Sequence, residues 1–147
     1  MRIIKYCLLF LFLLPMHSVA NNAYDFGDYI VYYNAFTADS LPPEMASAYG
    51  IERSKYKGVL NISVQKKKVS GEFLPQAVDA VVNVDAINLV GQLKKLTIRR
   101  VAEGKAIYYI SEFRISNEEQ LNFKVAILPA SGNKTLTFDF KQKFYVD

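Results

Sequence analysis

The side chains that could do chemistry in this 147-residue sequence are carboxylates, hydroxyls, amides and amines. Its one cysteine, Cys7, and its one histidine, His17, both fall within the first twenty residues, and there is no tryptophan. Those twenty residues read as an export signal. Arg2 and Lys5 lead, an uncharged apolar run follows from Tyr6 to Met16, and Ser18-Val19-Ala20 places small residues where a signal peptidase cuts. Cleavage after Ala20 leaves residues 21–147 with neither thiol nor imidazole. Ser-His-Asp and Cys-His nucleophiles then cannot be assembled. Histidine- or thiolate-based zinc, copper and haem sites are excluded in the same way. No GxGxxG or GxxxxGK loop is present to cradle phosphates.

Three constellations remain. A glycosidase-like carboxylate pair needs two acids about 5–10 Å apart in a cleft. The candidates are Asp25 with Asp28, or Glu118 with Glu119. Both sets fall in expected turns, where acids usually face water or bond the backbone. A Ser-Lys arrangement would use Ser54 with Lys55 or Lys57, but adjacent residues on an extended chain point to opposite faces. Calcium could draw on Asp25, Asp28 and Asp39, yet no DxDxDG-like loop accompanies them. The expectation is a protein that is not an enzyme, with no catalytic residue, cofactor or metal. Asn61-Ile-Ser63 and Asn133-Lys-Thr135 match the glycosylation sequon, and in a bacterial export context both read as chance.

Binding chemistry is richer. Between Tyr24 and Phe36, six of thirteen residues are aromatic: Tyr24, Phe26, Tyr29, Tyr32, Tyr33 and Phe36. Tyrosine favours interfaces because it joins a large rigid surface to a hydroxyl. Tyr32 and Tyr33 point to opposite faces of a strand, so both can be core only if the strand is covered on two sides. Tyr108 and Tyr109 repeat the pattern. If the two strands are neighbours, one Tyr of each pair joins an exposed aromatic strip. The candidate binding residues are Tyr32, Tyr33, Asn34, Leu41, Met45 and Tyr49.

The elements that position them are strands. Tyr29–Phe36, Val59–Lys66, Asp79–Asn88, Leu93–Val101, Ala106–Ile115, Leu121–Ile127 and Thr135–Val146 all alternate. Turn signals recur at about 8–12-residue spacing, which predicts a sandwich or barrel. The fold expected is an all-β, seven-stranded antiparallel immunoglobulin-like sandwich, with a closed β-barrel as the alternative. Leu93–Val101 and Ala106–Ile115 are expected to form a hairpin about Gly104. Pro42-Pro43 stops the first strand. A short helix is expected over 43–49, closed by Gly50. It is expected to cap an open end of the sheets, with Leu41, Met45 and Tyr49 facing in.

Residues 21–147 suit one domain. Signal removal takes Lys plus Arg from 18 to 16 against 14 acids, so the net charge drops from +4 to +2. No nucleic-acid partner is implied. The apolar run is too short to span a bilayer, and no stable membrane anchor is expected after cleavage.

Several blocks carry a family resemblance. They are Gly27-Asp-Tyr29, Tyr33-Asn-Ala-Phe36, Leu41-Pro-Pro-Glu44, Tyr49-Gly-Ile51 and Arg53-Ser-Lys55. Downstream come Glu103-Gly104, Ala106-Ile-Tyr-Tyr-Ile110, Asn117-Glu-Glu119 and Phe144-Tyr-Val146. In this order they resemble the small exported proteobacterial proteins catalogued as domain of unknown function 4426. The resemblance implies a Gram-negative periplasmic location and no particular activity. The function expected from the residues is a non-catalytic periplasmic interaction module, with another envelope protein as the preferred partner. The alternatives are a carbohydrate-binding or carboxylate-based hydrolytic domain, and a carrier of an apolar ligand.

Overall fold

The computed structural model describes residues 22–147. The expected signal peptide and its cleavage point lie outside them. The chain forms β1 (Ala23–Asp25), β2 (Tyr29–Thr37), a 3-10 turn (Ala38–Ser40) and α1 (Pro43–Ala48). Then follow β3 (Lys57–Lys66), β4 (Gln76–Ala77), β5 (Ala80–Asn88) and β6 (Leu93–Lys95). β7 (Arg99–Glu103), β8 (Ala106–Arg114), β9 (Gln120–Pro129) and β10 (Leu136–Lys143) complete it.

Two sheets result, with every pairing antiparallel. Sheet A runs β1-β2-β3-β8-β7, with β4 also beside β3; sheet B runs β10-β9-β5-β6. The alternation that marks each strand is the alternation that builds the core. Leu60, Ile62 and Val64 of β3 are buried, as are Val82, Val84 and Ala86 of β5. Leu121, Phe123, Val125 and Ile127 of β9 join them in one cluster shared by both sheets. Phe144 and Val146 follow β10 and remain buried in the same cluster. With no cysteine among the described residues, aromatic packing carries much of the cohesion. Phe123 stacks on Phe140 at 4.7 Å, and Tyr24 stacks on Phe138 at 4.7 Å.

The all-β class is as expected, and the helix falls over Pro43–Ala48 within the expected span. Three expectations need correction. The sheets stay separate with free edges, so the fold is not a closed barrel. The described residues form ten strands, not seven. β1 is exposed throughout and β4 has two residues, so neither carries a hydrophobic period to detect. The third additional strand comes from Leu93–Val101, which is not one strand. Leu93–Lys95 pairs with β5 in sheet B, and Arg99–Glu103 pairs with β8 in sheet A. Leu96 and Ile98 pack against the core while the chain crosses between sheets. Both sheets share that core, so the alternation continues unbroken through the crossing. The expected hairpin therefore reduces to β7–β8, turning on Gly104 at φ +57°.

Candidate functional site

Sheet A has two faces of different character. Val31, Ala35, Leu60, Ile62, Tyr109 and Phe113 turn into the core. The outward residues of β2, β3 and β8 divide into two zones. At one end Phe36, Val59 and Ile110 are apolar, and the segment from Ala38 to Ile51 covers them. The other zone is polar and holds Tyr32, Asn34, Asn61, Ser63, Gln65 and Tyr108. Strand register sets their rows: Tyr32 lies opposite Ser63, and Asn34 opposite Asn61. The chain between β3 and β4 rises beside this zone, and Phe73, Leu74 and Pro75 form a wall. Floor and wall enclose a cleft of about 910 Å³. Its only charged lining residues are Glu72 and Lys105, both exposed.

Local sequence explains both boundaries. In the cap, Pro43 opens α1 at a position where proline is tolerated. Gly50 closes it in the left-handed region at φ +64°. The Gly50 amide donates to the Ser47 carbonyl and the Ile51 amide to the Ala46 carbonyl, at 3.1 and 2.8 Å. This is a Schellman closure, and it buries Ile51 beside Ala46. Two side chains of β7 pin the helix end. The Arg99 guanidinium donates to the Tyr49 carbonyl, and the Tyr49 hydroxyl donates to Glu103 Oε2. Glu103 holds the phenol proton in place, and with some desolvation this pushes the Tyr49 pKa up to about 12. The Tyr49 ring meets Tyr108 edge-on at 6.0 Å, which joins cap to cleft. On the other side, Gly71 turns the arm at φ +84° and the Glu72 amide donates to the Val69 carbonyl at 3.0 Å. The Gln76 side chain then donates to the Leu74 carbonyl at 3.1 Å.

Asn61 stands out on the floor. Its Oδ1 is buried and has no hydrogen-bond partner among the described residues. A buried acceptor left unpaired costs on the order of 1–3 kcal/mol. Asn61 lines the cleft, but this oxygen is sealed from it, so the unpaired acceptor is a local cost beneath the floor.

The structure separates the sequence-derived site residues. Tyr32 and Asn34 line the cleft. Tyr33 also borders the cleft, but its ring packs on the core side, 5.0 Å from Phe138 and 4.5 Å from Phe140. Desolvation raises its pKa. Leu41 and Tyr49 pack in the cap, and Met45 is exposed. The cap lies on the outer face of sheet A rather than over an open end of the sheets, because Phe36, Val59 and Ile110 need cover there. Ala46 makes the close helix contact, so Met45 faces away rather than in. β2 and β8 are not neighbours; they flank β3. Tyr32 and Tyr108 thus stand on either side of a polar strand face instead of forming a continuous strip. Asn61, Ser63 and Gln65 escaped sequence reasoning as site residues, while Tyr108 entered it only as a conditional member of an aromatic strip. The available signal was an outward face of three successive uncharged polar residues, where a solvated face usually carries charge.

Three of the four candidate acids each meet a lysine. Asp25 pairs with Lys67, whose hydrogen bond holds the Asp25 carboxyl below the usual range. Glu119 pairs with Lys94 at 2.6 Å, and Glu118 lies 4.0 Å from Lys143. Among the described residues, no three His, Cys, Asp or Glu side chains gather as metal ligands do. Ser54 and Lys57 do share a smaller cavity of about 450 Å³. There Glu52 bonds Lys57 at 2.5 Å and raises its pKa, the reverse of what a general base needs.

Comparison with known proteins places the chain. A profile described as Domain of unknown function (DUF4426) matches residues 23–147. A crystal structure of a DUF4426 family protein from Pseudomonas aeruginosa PAO1 is 35% identical, with a TM-score of 0.71. The alignment covers 86% of this chain and 96% of that one. Two structures of FetP from uropathogenic Escherichia coli strain F11 share the fold at low identity. A copper-bound single-residue variant of FetP is 10% identical with a TM-score of 0.58, covering 85% of this chain and 95% of that one. The as-isolated protein, expressed in the periplasm, is 12% identical with a TM-score of 0.55, covering 84% and 91%. No curated protein matches by sequence. The chain belongs to the DUF4426 family.

Proposed function

We propose that this member of the family is a non-catalytic interaction module of the periplasm, and that the cleft on the outer face of sheet A is its recognition surface. The observation that carries this reading is the uncharged hydrogen-bonding floor of amides, a hydroxyl and two tyrosines between a pinned cap and a turned arm. Ligand sites combine concavity, aromatic surface and a few placed polar groups, and this cleft has all three. Export is inferred from the signal-like leader of the sequence, and among the described residues no helix is long and apolar enough to cross a membrane. The frame is inferred to be an immunoglobulin-like sandwich. The seven main strands, numbered in chain order, fall as first, second, fifth and fourth in sheet A and seventh, sixth and third in sheet B. That is the ABED and GFC arrangement of such domains.

The copper bound by FetP does not extend to this chain: its described residues hold no His or Cys and no gathered acids. A carboxylate-based hydrolytic role has no support where Asp25, Glu118 and Glu119 each meet a lysine.

The test is photo-crosslinking in cells from a reactive residue at position 108, with one at Lys124 on sheet B as the control. The expected result is an adduct from position 108 alone that disappears when Ser63→Trp fills the cleft. An adduct of equal yield from Lys124, or one that persists in the filled variant, would contradict the reading.

A further inference from the structure

We infer that the occupant of the cleft is a neutral oligosaccharide segment; this rests on the cleft being the recognition surface. The floor chemistry decides the class. Asn34, Asn61 and Gln65 present amides, and Ser63 presents a hydroxyl. Amides donate and accept through one planar group, which suits paired sugar hydroxyls. Tyr32 and Tyr108 stand two strand spacings apart, about 10 Å, on either side of β3. Their rings can lie against sugar C–H faces while their hydroxyls stay in the polar layer.

Two competing classes fit less well. A charged ligand would find no counter-charge on the floor, since Glu72 and Lys105 are exposed and of opposite sign. An extended polypeptide binds sheets chiefly by adding to a free edge. Here the cleft lies on a face, and the β2–β3 and β3–β8 ladders already use the main-chain groups. A peptide would be read by side chains alone, and apart from the Phe73–Pro75 wall the cleft offers them a polar floor. The cleft volume of about 910 Å³ has room for more than one ring.

The experiment is a titration of the folded protein with cellohexaose, maltohexaose, chitohexaose and hexagalacturonate, followed by calorimetry and by backbone amide NMR. At least one neutral hexasaccharide is expected to bind saturably and to shift amides of β2, β3 and β8. Asn61→Leu and Tyr108→Ala are each expected to weaken that binding roughly tenfold or more, and hexagalacturonate to bind at least as weakly as those variants. Melting curves of the variants exclude loss of fold as the cause. Failure of all three neutral sugars at millimolar concentration, equal binding of hexagalacturonate, or indifference to both substitutions overturns the assignment. If the sugars fail while position 108 still crosslinks specifically in cells, the recognition surface stands and the sugar assignment falls, leaving polypeptide as the occupant.

Discussion

Single residues show where the fold is held and where it bears on the proposed recognition surface. Gly58 is an example of the first. A Cβ there would fall 2.6 Å from Phe113 Cζ and closer still to its neighbour in the ring. Phe113 is buried against Phe123 and Phe144, so it has little room to yield. Gly58→Ala is expected to destabilise the protein by about 1–3 kcal/mol in denaturant titration. Its absent side chain is a packing requirement, since its backbone is not left-handed. Asn61 is the opposite case. Asn61→Leu removes an unpaired buried carbonyl, so stability is expected to hold or rise by up to about 1 kcal/mol while binding weakens. A clear loss of stability would show that Asn61 is a structural residue. Neither role was legible from the sequence. Gly58 lies just inside β3 with no turn signal, and Asn61 differs from an ordinary solvated residue only through what surrounds it.

At the level of elements, the cap is a device for covering three apolar side chains on a face that is otherwise wet. Its helix was readable from Pro43 and Gly50, because both act locally. Its location was not, because Phe36, Val59 and Ile110 come from three strands and meet only in the fold. Gly50→Ala forces a side chain into the left-handed region and is expected to cost about 1 kcal/mol, read as a lower melting temperature. Tyr49 adds a pH dependence. Its pKa rises from 10.0 to about 12 in the fold, so the unfolded chain ionises first. The stability from this contact is whole below pH 10 and is lost as pH rises toward 12. Melting temperatures from about pH 9 to 12 are expected to fall more steeply for the native protein than for Tyr49→Phe. Parallel slopes would mean that the Glu103 bond contributes nothing. The crossing at Leu96–Ile98 was hidden for a different reason: alternation reports which side faces the core, and both sheets face the same one.

For the molecule as a whole, the class, the core between the two sheets and most strands followed from period-two alternation. That signal comes from burial and survives any assignment to one sheet or the other. Which strands adjoin depends on long-range pairing, so the placement of Tyr32 and Tyr108 about β3 could only come from the structure. The pairing makes sheet A a two-faced object, with its inner face closing the core and its outer face divided between cap and cleft. The most direct measurement of this division is hydroxyl-radical footprinting of the protein in native envelope extract against the purified protein. Tyr32, Tyr108 and the fully exposed Phe73 are expected to lose reactivity in the extract, while the exposed Tyr56 and Tyr145 keep theirs. Protection at Tyr56 or Tyr145 with the cleft residues unchanged would place recognition elsewhere and contradict the account.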